Sequence, residues 1–173
     1  MRKLVVGILA IFSIIAFLGW SVVRIIDAYA FETNCSQYIK RAADASSVEV
    51  AKRELGKAIE YCEANGLTEG VVSIFLKQPK NDIGFWYENL TIAYAELDSL
   101  PEDSTPLEKT NMLMKIRESL TDADGDGGIT VTHPEGISIY PNNVMYFWWG
   151  TLSGIASLVF AIWWFFEHLY DYY

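Results

Sequence analysis

The stretch Val144–Phe166, VMYFWWGTLSGIASLVFAIWWFF, decides the architecture of this 173-residue chain. Its 23 residues carry no charge, and about 20 apolar residues in helical form span the hydrocarbon core of a bilayer. Without it, the run Leu4–Val23 at the other end would read as a secretion signal ahead of an exported domain. With it, the two runs make a membrane hairpin around a 117-residue insert, Asp27–Asn143. The expected fold is mainly α: two transmembrane helices bracketing a small extracytoplasmic helical domain of about four helices, with a short β-hairpin before the second membrane helix. The expected boundaries are 1–26 for the first membrane helix, 27–121 for the helical domain, 122–143 for an Asp/Gly-rich loop and hairpin, and 144–173 for the second membrane helix and a short tail.

The flanks set the expected orientation. Arg2 and Lys3 precede the first run, and positive residues are retained on the cytoplasmic side. Ala28-Tyr29-Ala30 resembles a signal-peptidase site. Cleavage there is opposed by an apolar run longer than a signal's usual core, and by Arg24 and Asp27 between run and site. Retention places both termini in the cytoplasm and the insert outside, as in a bacterial inner-membrane protein with a periplasmic domain. Aromatic residues crowd both ends of the second run, Tyr146–Trp149 and Trp163–Phe166, where rings sit at membrane interfaces.

The insert holds 10 Lys and Arg against 20 Asp and Glu. That balance disfavours nucleic acid and anionic headgroups, which are bound by clustered cations, and favours cationic partners or divalent metal. Cys35 and Cys62 are the only cysteines and both lie in the insert. An exported compartment permits a disulfide between them; two buried free thiols are the alternative.

Within the insert, Phe31–Ala45 reads as a helix that continues the first membrane helix. Ser46 and Glu49 make a capping box for a second helix that ends at Asn65-Gly66. Val71–Leu76 fits either a short helix or a buried extended run. Asp82 caps a third helix, with Phe85, Trp86, Leu90, Ala93, Tyr94 and Leu97 facing inward. Thr105, Pro106 and Glu108 start a fourth.

One segment carries recognisable chemistry. Asp122-Ala123-Asp124-Gly125-Asp126-Gly127-Gly128-Ile129-Thr130 resembles the first nine positions of an EF-hand calcium loop, and it follows a helix. The resemblance implies Ca2+ held by Asp122, Asp124 and Asp126, by the Gly128 carbonyl, and by Thr130 directly or through water. The twelfth position, a bidentate Glu in that family, is His133 here, and the nearest acid is Glu135. Instead of an exiting helix, Ile129–Thr132 and Ile137–Tyr140 alternate around His133–Gly136 and read as a β-hairpin.

In the second apolar run, Gly150 and Gly154 form a GxxxG continued by Ser153 and Ser157, a spacing that lets another helix approach closely. That helix is the first run of the same chain, a second copy in a homo-oligomer, or another membrane-complex subunit. Neither run has an ionisable residue in its middle, which argues against a proton or ion pathway. The hydrolase and transferase motifs G-x-S-x-G, P-loop, H-E-x-x-H and C-x-x-C are absent. The expected function is that of a non-enzymatic accessory or scaffolding protein in the lipid bilayer, with Ca2+ in a structural role. A metal-responsive sensor is the alternative, and an enzyme using acidic-face carboxylates is a distant third.

Overall fold

The computed structural model describes residues 2–123 and 129–169. The described elements are α1 (Arg2–Phe31), α2 (Gln37–Ala43), α3 (Val48–Ala64), α4 (Ile83–Ser99), α5 (Pro106–Leu120), β1 (Thr121–Ala123), β2 (Ile129–Val131) and α6 (Asn143–Leu169). A π turn, Glu32–Ser36, joins α1 to α2, so the helix runs unbroken over Lys3–Ala43. The chain forms two compact units: Met1–Ala28 with Asn142–Tyr173, and Tyr29–Pro141.

The first unit is a pair of helices, each long and apolar enough to cross a membrane. The pairs along the seam run in opposite directions. Trp20 donates its indole N–H to the Tyr146 carbonyl at 2.8 Å, and Trp149 donates to the Ala16 carbonyl at 3.1 Å. Beyond them, Tyr146 donates its hydroxyl to Asp27 at 2.8 Å. Small residues fill the seam: Val6, Ala10, Ser13 and Ser153 are buried, while Leu4, Phe12, Ile15 and Leu158 on other faces are exposed. The Ser13 and Ser153 hydroxyls donate to carbonyls of their own helices, so neither hydroxyl is left bare in the seam. The GxxxG thus faces the first run of the same chain. A Cβ on Gly150 would lie 2.5 Å from the Trp20 ring, and one on Gly154 would lie 3.3 Å from Phe17.

The second unit is a helical core closed by a two-stranded antiparallel sheet. Ile39 from α2, Ala51, Leu55 and Ala58 from α3, Ile83, Leu90 and Leu97 from α4, and Ile116 from α5 meet in one cluster with at most 3% exposure. Each Leu or Ile removed from water there contributes about 1.5–3 kcal/mol. The caps explain where the helices begin and end. The Asp82 carboxylate accepts from the Phe85 amide at 3.1 Å, and Thr105 and Glu108 form the expected reciprocal box. That box holds the Glu108 carboxyl below its usual range, first through the Thr105 backbone amide and then through its hydroxyl. Gly66 takes φ +67°, and the Leu67 amide reaches back to the Cys62 carbonyl at 2.8 Å, a Schellman closure that needs a left-handed residue.

Four expectations change, and one open alternative is decided. The cap of α3 is Ser47, one residue later than Ser46, and it accepts from the Val50 amide. Phe85 is exposed although it follows the buried Ile83. Of the two readings of Val71–Leu76, the extended one holds at Val71, which bridges Asp82 in antiparallel fashion. The sheet pairs Thr121–Ala123 with Ile129–Val131, not Ile129–Thr132 with Ile137–Tyr140, and Ile137–Ile139 is a 3-10 turn entered through Gly136 at φ +86°. Cys35 and Cys62 are free, with their sulfurs 3.7 Å apart rather than bonded.

Gly150→Ala is expected to destabilise the helical pair by about 1–3 kcal/mol, the usual range for overpacking. Gly154→Ala should cost less, because its neighbour needs to yield only a few tenths of an ångström. Thermal unfolding of the full chain in detergent micelles checks the ranking; equal, negligible losses would contradict the seam.

Candidate binding cleft

The start of α4 and the end of the hairpin are tied together by side chains rather than by sheet. The Ile83 amide donates to the Gly70 carbonyl at 2.9 Å, and the Val72 amide to the Asn81 carbonyl at 3.0 Å. These bonds fix the segment that leads into α4. Three residues into that helix, Trp86 donates its indole N–H to the Thr132 carbonyl at 2.7 Å. The Thr132 amide in turn donates to the Leu120 carbonyl at 3.1 Å. Thr132 is therefore held from both sides, and the chain after β2 lies along α4. His133 packs edge-on against Phe31 at 5.1 Å between ring centroids.

This arrangement leaves a cleft of about 410 Å³ with mostly apolar walls. Phe85 and Trp86 supply its aromatic side, and Asp122, His133 and Glu135 stand on the hairpin side. Phe85 is 61% exposed, whereas Trp86 is 7% exposed. An exposed phenylalanine at the mouth of an apolar cleft is surface available for burial by a partner. The acids Asp82, Asp122 and Glu135 outnumber the one lysine, Lys80, among the lining residues. Chemically, the cleft can take an apolar or aromatic group together with a positive charge.

Two of the six residues expected to hold metal, Asp122 and Glu135, line this cleft. Thr130 stands directly opposite Asp122 in the ladder, and its hydroxyl donates to the Asp122 carbonyl at 3.4 Å. The Asp122 carboxylate accepts from the Thr132 hydroxyl at 3.1 Å. Asp124, Asp126 and Gly128 lie outside the described residues. Among the described residues, no three His, Cys, Asp or Glu side chains are grouped closely enough to hold a metal ion.

Sequence reasoning missed a second polar cluster. Glu54 is 1% exposed yet sits among three cations: Arg53 at 3.0 Å, Arg41 at 3.2 Å and Lys57 at 3.3 Å. Arg41 and Lys57 also lie over the Tyr38 ring. Burial alone pushes the Glu54 carboxyl up, but the hydrogen bonds from Arg53 and Lys57 and the Arg41 charge outweigh it, and the net direction is down. The only local signal was the spacing of Arg53 and Lys57 around Glu54; Arg41 arrives from α2 through the fold. The cluster clamps α2 to α3: Arg53 and Lys57 donate to one carboxylate oxygen, and Arg41 pairs with the other.

Glu54→Gln is expected to lower stability by about 1–3 kcal/mol at neutral pH, the value of a charged hydrogen-bonded group. A depressed carboxyl stabilises the fold above its ordinary value of 4.5 and loses that contribution as pH falls through the depressed value. The gap between wild type and variant should therefore hold above about pH 5 and close in more acidic buffer. Denaturant unfolding at a series of pH values checks this; a gap that ignores pH would contradict it.

No family model, curated protein or solved structure matches the chain.

Proposed function

We propose that this is a two-span membrane protein that works by binding, with the cleft between Phe85 and Glu135 as its docking site. The observation that carries the proposal is the combination of an exposed Phe85, a buried Trp86 and an excess of carboxylates around one apolar cleft. That chemistry suits a basic, apolar-tipped segment of a partner subunit, since opposite charge steers the encounter and aromatic burial supplies the affinity. The proposed setting is the bacterial inner membrane with both termini cytoplasmic, on the strength of Arg2 and Lys3 ahead of the first span. The proposed role is that of an accessory or scaffolding subunit.

A photo-cross-linking residue placed at Phe85 in living cells should give a discrete adduct with another membrane-complex protein. The same residue at Ile92, exposed on α4 and not part of the cleft lining, should give none. Glu135→Lys should weaken the Phe85 adduct by like-charge repulsion while leaving the protein's melting unchanged. Equal adducts from Phe85 and Ile92, or indifference to the charge reversal, would overturn the reading.

A second reading, a metal-responsive sensor, is favoured by one observation. The register sets Asp122 opposite Thr130, which draws together the first and ninth positions of the calcium-like loop. It predicts saturable Ca2+ heat from the full chain in micelles, abolished by Asp122→Asn. A flat titration with an unshifted melting curve removes this reading and leaves the cleft untouched.

A further inference from the structure

We propose that Cys35 and Cys62 form a covalent cross-linking site, closed by thiol–disulfide exchange with a small-molecule disulfide such as glutathione disulfide. The two side chains are fully buried, with zero exposure for each, and their sulfurs are in contact at 3.7 Å. A disulfide needs about 2.05 Å between sulfurs, so closure requires the two sulfurs, already in contact, to draw closer.

The backbone on both sides is held where this chemistry needs it. Cys35 belongs to the π turn Glu32–Ser36, a local widening of the helix of the kind often found at functional positions. Cys62 lies in the last turn of α3, and its carbonyl is fixed by the Leu67 amide at 2.8 Å. The pair therefore joins two helices whose positions the core already dictates. A bond between them removes freedom chiefly from the unfolded chain.

The reaction balances as follows. Local opening exposes one thiol, which loses its proton and attacks the oxidant's S–S bond. A mixed disulfide forms and one oxidant thiolate leaves. The second cysteine, as its thiolate, attacks the protein sulfur of that mixed disulfide, and the remaining oxidant half leaves. Two electrons pass from the protein to the oxidant, and the two protons are taken up by the released thiolates. In the closed fold the Cys35 thiol is pushed up by its hydrogen bond with Cys62, and then by burial. The step therefore runs through the opened state, since the thiolate is the reacting form.

The test uses the full chain, purified in micelles under reductant and then exchanged into glutathione disulfide. After denaturation and treatment with N-ethylmaleimide, the oxidised sample should show no adduct, a mass lower by two hydrogens, and a monomeric band without reductant. Reduction should restore two adducts. The melting temperature should rise by at least about 5 °C on oxidation, a shift that Cys35→Ala and Cys62→Ala should each abolish. If the buried thiols react slowly, exchange in mild denaturant followed by refolding supplies access. Two adducts after that treatment, glutathione retained on the protein, or inter-chain dimers would each overturn the proposal.

Discussion

The hydrogen bond from the Trp86 indole to the Thr132 carbonyl is the contact on which the candidate site depends. A buried indole N–H without a partner is costly, and Thr132 offers a carbonyl that no strand partner occupies. Satisfying both groups brings the chain after β2 onto α4, and that single placement creates the cleft. Asp122, His133 and Glu135 reach one surface because Thr132 is fixed between Leu120 and Trp86. Phe85, next to Trp86 in sequence, is left exposed at its edge.

The membrane-length pair obeys a different constraint. A helix in lipid gains nothing from hiding apolar side chains, so close approach has to come from shape. Here large rings meet notches: Trp20 sits over Gly150, Phe17 over Gly154, and Trp164 over Gly7. The two indole donors reach carbonyls across the seam instead of remaining bare. The GxxxG is thereby occupied within the chain, which leaves the helical unit's own surfaces as the place to look for partners.

Much of the fold was legible from local rules. Asp82, Thr105 with Glu108, and Gly66 each mark a helix end by side-chain or backbone chemistry confined to four or five residues, and each holds. The hairpin was misread because its first strand, Thr121–Ala123, contains Asp and Ala, which are poor strand formers. The better-looking partner, Ile137–Tyr140, follows Pro134 and the left-handed Gly136 and turns away. What selected the true register was tertiary: the Leu120 carbonyl and the Trp86 indole. Glu54 illustrates the same limit. A lone glutamate on an amphipathic helix looks solvated, and only the arrival of Arg41 from α2 makes its burial affordable. The cleft itself had no signature in sequence, since its residues come from three separated segments.

The central claim is that the cleft between α4 and the hairpin is the surface a partner covers. Hydrogen–deuterium exchange of the full chain, in native membranes and again in purified nanodiscs, tests it most directly. The account predicts slower exchange in native membranes for peptides covering 82–90 and 130–136, with α3 unchanged between the two. Identical exchange in both settings, or protection confined to the exposed residues Ile92, Leu107 and Met114, would contradict it.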